Sequence, residues 1–187
     1  KEIVFKNTDE ETFKSLLVPY FDLERDYGKI CSSFDDGYLQ KACKAYYGIR
    51  ILHQEEWEAL CSFIISQNNN IPRIKGIIER LCSSFGEQIS ETDFAFPSAE
   101  KIAALNAPLR AGFRSKYILD AAKKVSSGEV SFEKIKAAPL EKAQQELLKI
   151  KGVGVKVAQC TLLYGFGKLD AFPVDVWVKR ILSELYS

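Results

Sequence analysis

Three side chains stand out as a set that could do chemistry together. Lys156 directly follows the tight stretch Gly152-Val153-Gly154-Val155, Cys160 comes four residues later, and Asp175 lies nineteen residues after the lysine within PVDVWV. An ammonium group in the first turn of a helix opposes the helix dipole, and the surrounding valines and Leu162 predict partial desolvation. Both effects lower an amine pKa, and an amine that sheds its proton near neutrality can act as a nucleophile. An exposed lysine touching a phosphate fits the same spacing. Asp175 also has two readings. Its carboxylate could accept a proton or stabilise a developing positive charge beside the amine, or it could cap the helix that follows Pro173, which fixes the helix start. Cys160 stands one helical turn beyond Lys156, so both can face one pocket; an inert buried thiol is the alternative.

The element that must position these groups is LLKIKGVGVKVAQC, residues 147–160. A helix, Leu147-x-x-Ile150-x-Gly152-Val153-Gly154, and a second helix form the pattern of a helix–hairpin–helix. Gly152 and Gly154 permit backbone conformations barred to residues with a Cβ and let the main chain approach a ligand closely. The second helix begins with N–H groups that lack internal acceptors, at the positive end of its dipole, and a phosphate is the natural anion for that place. Such contacts position a protein on DNA without reading sequence.

Most of the remaining chain reads as helix. TDEETFKSLLVPYF carries a capping-box pattern with Thr8 before Glu11. The run at 55–67 is apolar enough for a helix buried on most sides. The segment 71–86 puts Ile74, Ile77, Ile78 and Leu81 on one face and stops at Gly86. Helices are also expected from near Ser98, over 114–128, 141–150, 155–167 and 173–186. EIVFKN, residues 2–7, alternates apolar and polar residues and reads as one short strand. The fold class is therefore all-α: two helical lobes with a helix–hairpin–helix motif and one residual N-terminal strand. No linker is biased enough to cut the chain into independent domains.

Composition narrows the function classes. The net charge is +1, but residues 1–100 carry 11 Lys/Arg against 17 Asp/Glu while residues 101–187 carry 15 against 8. The second half is thus suited to an anionic partner. Five cysteines without a CxxC spacing point to free thiols in a reducing compartment and away from zinc or a cysteine-held iron–sulfur cluster. One histidine excludes catalysis by paired histidines. No apolar run approaches a membrane span. A first residue Lys1 and the absence of methionine predict a native protein that extends beyond this chain.

GVGVKVAQC followed by the aspartate of PVDVWV resembles the helix–hairpin–helix/Gly-Pro-Asp superfamily of DNA glycosylases. GIRILHQEEWEALCSFIISQNNNIPRIKGIIERLCSSFG (48–86) and GFRSKYILDAA (112–122) are similar, more narrowly, to the 8-oxoguanine DNA glycosylase family, with similarity over about residues 2–182. The resemblance implies a base-excision glycosylase with AP lyase activity. Lys156 would attack C1′ of the damaged nucleotide, expel the base and form a Schiff base open to β-elimination, with Asp175 assisting. Cys160 would pack against the flipped purine. Asn68, Arg73 and Arg114 would contact the cytosine left unpaired, Phe113 would wedge into the base stack, and Gly152, Gly154 and Trp177 would lie against the DNA backbone. Main-chain carbonyls of Leu148, Ile150 and Val153 would hold a structural monovalent or divalent cation, with no other cofactor required. Damaged double-stranded DNA is the implied partner, with no membrane, a monomeric state and an intracellular location: cytoplasm or nucleoid in a bacterium, nucleus in a eukaryote. The implied organisation is residues 1–7 as the last strand of an N-terminal β-domain, 8–136 as a helical lobe, and 137–187 as the catalytic lobe continuous with it, with a C-terminal helix beyond Ser187. Two departures stand out: Trp177 replaces a phosphate-touching histidine, and Phe113 replaces a tyrosine. A glycosylase for oxidised pyrimidines and a non-catalytic DNA-binding hairpin are the competing readings.

Overall fold

The structure is a computed structural model that describes residues 4–186. The chain divides into two units, one up to His53 and the other from Gln54 onward.

In the first unit, α1 (Glu10–Thr12) runs through a π-helical turn, Phe13–Leu17, into α2 (Val18–Tyr20). Pro19 accounts for the widening, because it offers no N–H to the carbonyl one turn back and its ring crowds that carbonyl. The start of α1 is capped by Asp9, whose side chain accepts from Thr12 N–H at 2.7 Å, and not by Thr8. A carboxylate is the stronger acceptor for an orphan amide. Two short helices follow, α3 (Tyr27–Ser32) and α4 (Gly37–Ala45), each capped by an aspartate, Asp26 and Asp36. Residues 4–7 form no strand, since an isolated extended segment has no neighbour with which to build a ladder; residues 2 and 3 of that expectation lie outside the described residues. Phe5 packs instead against the rings of Phe13 and Phe21, at 5.3 and 5.5 Å. Among the described residues there is no sheet, only an isolated bridge between Gln88 and Phe94.

The second unit is built around α5 (Glu56–Ser66), which buries Trp57, Ala59, Leu60, Cys61, Ile64 and Ile65. It packs against α6 (Ile71–Phe85), α8 (Ser115–Ser126) and α11 (Val155–Tyr164). α6 turns Ile77 and Leu81 fully inward and leaves Ile74 and Ile78 partly covered. Gly86 ends α6 in an extended conformation, φ −73°, and not in a left-handed one. A Cβ there would stand 2.0 Å from the carbonyl oxygen of Ala95, so close backbone approach is what requires the glycine. α7 (Ala99–Ala103) is capped by Ser98 and packs on α8. α9 (Phe132–Ala137) and α10 (Leu140–Leu148) lead into the hairpin, and α10 packs on α11. The last helix, α12 (Val176–Leu185), begins three residues later than its proline suggested and buries no residue. No helix of the described residues is long and apolar enough to cross a membrane.

Candidate DNA-facing and catalytic site

The hairpin between α10 and α11 is anchored from beneath by α8. The Asp120 carboxylate accepts the Lys151 N–H at 2.7 Å and pairs with the Lys124 ammonium at 3.1 Å. Lys124 also donates to the Lys149 carbonyl at 2.6 Å. Ile150 and Val153 are buried, and Val153 N–H closes the turn on the Ile150 carbonyl at 3.1 Å.

The two glycines of the turn have different jobs. Gly152 has φ +80°, and a Cβ on it would lie 2.4 Å from the ring of Tyr117. Gly154 is extended, at φ −98° and ψ 178°, and a Cβ on it would meet nothing within 4 Å. Nothing inside the chain requires a glycine at 154. It leaves the backbone bare on the side where an external group would approach. Gly152→Ala should therefore cost about 2–5 kcal/mol, combining left-handed strain with ring overlap. Gly154→Ala should cost about 1 kcal/mol or less yet weaken DNA binding at least about tenfold. Urea unfolding and salt-controlled binding titrations read the two effects. Equal losses of stability would remove the distinction.

α11 starts without a side-chain cap. By contrast α5, α6, α7, α9 and α12 are capped by Glu55, Asn70, Ser98, Ser131 and Asp175. The first-turn amides of α11 therefore face outward unpaired, with the helix dipole behind them.

Lys156 projects from this turn. It is exposed, which corrects the expected desolvation; the Cys160 thiol feels its charge and the Phe63 ring stands 5.8 Å from its nitrogen. Cys160 is 5% exposed. Burial pushes its thiol above the ordinary range, the Lys156 ammonium pulls it down, and the Asp175 carboxylate pushes it up. Lysine and aspartate thus act with opposite sign on the titration of the same thiol, and no ion pair joins the two among the described residues. Asp175 caps α12, with one oxygen accepting both Trp177 N–H and Val178 N–H at 2.9 Å. Its second oxygen takes no part in the cap. The capping and chemical readings of Asp175 are therefore compatible.

Gln159, which sequence reasoning missed, fixes the approach to Asp175. Its side chain bridges Gln144 on α10 to Phe172 N–H, the latter at 2.9 Å. Phe63, stacked on Tyr164 at 5.6 Å, was also missed. Neither glutamine nor phenylalanine carries a sequence signal that separates such a role from ordinary packing.

A second group of predicted residues gathers around the turn after α5. Asn68 adopts a left-handed conformation, φ +46°, and is exposed, as is Arg73 in the first turn of α6. Phe113 is 49% exposed and meets Tyr117 edge-on at 6.0 Å. Arg114 is different. It is 1% exposed, and its guanidinium donates to the carbonyls of Gln67 and Asn68, the latter at 2.8 Å. Burial, with Arg73 nearby, lowers its pKa. In this structure Arg114 supports the strained turn that presents Asn68 and does not itself reach the surface. Trp177 is 63% exposed and stacks under Arg180, 4.8 Å from its ring.

Fold and site together define a helix–hairpin–helix protein with an exposed lysine in the first turn after the hairpin. The chain belongs to the HhH-GPD superfamily of base excision DNA repair proteins, whose profile matches residues 61–187; residues 2–60 match the profile of the 8-oxoguanine DNA glycosylase N-terminal domain. It is 36% identical to an N-glycosylase/DNA lyase of Saccharomyces cerevisiae, over 95% of this chain and 53% of that protein. A solved structure of MBOgg1 in complex with a low affinity DNA ligand is 46% identical, with a TM-score of 0.89 over 96% of this chain and 65% of that one. The 8-oxoguanine glycosylase/lyase of Clostridium acetobutylicum, solved with double-stranded DNA containing cytosine opposite 8-oxoG, is 40% identical, with a TM-score of 0.89 over 97% of this chain and 65% of that one. The chain thus spans about half the length of the yeast relative and about two thirds of these two solved chains.

Proposed function

We propose that this chain is the helical catalytic part of a bifunctional glycosylase and AP lyase that removes 8-oxoguanine from duplex DNA. The observation that carries the reading is the exposed Lys156 in the first turn of the uncapped α11, with the charges of Lys156 and Asp175 both felt by the Cys160 thiol. The relatives named as N-glycosylase/DNA lyase and 8-oxoguanine glycosylase/lyase support the substrate class.

In this reading the hairpin amides, with Gly152 and Gly154, hold a phosphate and bring the flipped nucleotide to Lys156. The lysine nitrogen attacks C1′, the bond from C1′ to the base breaks, and the purine leaves. Loss of a proton from nitrogen and opening of the sugar yield a Schiff base, from which β-elimination releases the 3′ phosphate. The free oxygen of Asp175 stabilises the positive charge that develops on the sugar. Cys160 stays a neutral thiol and packs against the purine. Exposed Asn68 and Arg73 take the unpaired cytosine, with Arg114 supporting their turn, and Phe113 fills the stack, offsetting part of the cost of flipping. Trp177 offers an indole N–H to the backbone. Residues 137–187 are the catalytic lobe, continuous with 8–136, and the protein works as a monomer inside the cell, where its DNA is.

The carbonyls of Leu148, Ile150 and Val153 fit a hard cation. Leu148 closes α10 at its negative end, and Ile150, in the turn that follows, has a lone pair left beside the one given to Val153 N–H. A cation held there would supply charge neutralisation for one phosphate.

Borohydride trapping on matched duplexes tests the function. A covalent complex should form with an 8-oxoguanine·cytosine duplex and not with undamaged DNA. Trapping only on oxidised pyrimidines would transfer the assignment to that class, and binding without trapping on any duplex would leave a DNA-binding hairpin.

A further inference from the structure

α3 and α4 pack against each other in the first unit, and the packing sets two of the five cysteines side by side. The thiols of Cys31 and Cys43 lie close enough for each to affect the other's titration. Both are partly exposed, and both line one surface cavity of about 340 Å³, together with Gly28, Gln40 and Lys44. The other cysteines are placed differently. Cys61 and Cys160 are buried, at 0% and 5% exposure, and Cys82 stands on α6 of the second unit. The mechanism proposed above uses neither Cys31 nor Cys43.

We propose that Cys31 and Cys43 are an oxidation site, a dithiol that a peroxide converts into an intramolecular disulfide clipping α3 to α4. The neighbouring Cys31 sulfur, with some burial and the charge that Cys31 carries once ionised, holds Cys43 above the ordinary thiol range. Cys43 therefore keeps its proton, and Cys31 is the sulfur that meets the oxidant. The Cys31 thiolate attacks one oxygen of hydrogen peroxide, the O–O bond breaks, and hydroxide leaves, giving a sulfenic acid. The Cys43 sulfur then attacks the Cys31 sulfur. The S–O bond breaks, the S–S bond forms, and the departing hydroxyl takes the Cys43 proton and leaves as water. Two thiols and one peroxide thus give one disulfide and two waters. The two thiols line one cavity between helices that already pack together, and the disulfide joins them across it. In a reducing compartment the bond is transient, which suits a site that registers peroxide.

Peroxide treatment of the full chain, followed by non-reducing tryptic mapping, tests this directly. Cleavage after Lys29, Lys41 and Lys44 puts Cys31 in the peptide 30–41 and Cys43 in the peptide 42–44. The expected product is these two peptides joined, lighter by two hydrogens, and separated by dithiothreitol. Cys43→Ser should abolish the joined pair and leave a sulfenic acid on Cys31 that dimedone captures; Cys31→Ser should abolish both. Oxidation that falls first on Cys82, a cross-link between molecules, or overoxidation of Cys31 without the joined peptides would overturn the proposal. The mapping of the unsubstituted chain decides the matter even if a variant folds poorly.

Discussion

Lys156→Gln should leave a folded protein that still binds damaged duplex but forms no borohydride-trapped complex, with single-turnover base release down by at least about a thousandfold. The fold should tolerate the change, because Lys156 is exposed and is absent from every ion pair among the described residues. Its partners are a thiol and the distant edge of a cation–π contact at 5.8 Å. Stability should therefore move by about 0.5 kcal/mol or less. A corollary concerns Cys160. With the ammonium gone, burial and Asp175 act on the thiol unopposed, its pKa rises further, and alkylation at mildly alkaline pH should slow. Trapping that persists in Lys156→Gln would move the nucleophile elsewhere; an unfolded variant would show that the lysine is structural.

Asp175 allows its two roles to be separated. Asn caps helices about as well as Asp, so Asp175→Asn should preserve the bonds to Trp177 and Val178 and leave stability nearly unchanged. It removes the charge on the oxygen left over from the cap, and base release should fall about 100- to 1000-fold. Asp175→Ala should show the same catalytic loss and, in addition, a cost of about 1 kcal/mol from the bared start of α12. Parental excision by Asp175→Asn would reduce the residue to a cap. Urea unfolding measured beside single-turnover rates on the same preparations keeps the two effects apart.

Much of the site was legible because its signals are local. A glycine pair between two apolar helical runs fixes a tight turn wherever the rest of the chain goes, and an uncapped helix start follows from Gly154 having no side chain. The interval from Lys156 to Cys160 fixes their shared face by helical geometry alone. Asp175 as a cap was equally local. The environment of each group was not. Valines near Lys156 in sequence suggested a sheltered amine, yet Val155 is 58% exposed while Val157 turns inward at 3%, and the lysine follows the outer face. Arg114 was expected to reach the unpaired cytosine, and the structure instead spends it on the carbonyls of a turn 46 residues upstream in the chain.

The sequence by itself determined the helical class, the hairpin turn and the Asp175 cap of the last helix. These depend on neighbours within a few residues, where backbone geometry and capping act. Only the tertiary structure decided that Gly152 answers to Tyr117 while Gly154 faces open space, how Gln159 ties the backbone at Phe172 to α10, and that Cys31 and Cys43 line one cavity. Each of these rests on contacts between residues far apart in the chain, and burial and electrostatic environment are properties of the packed assembly rather than of any stretch of it.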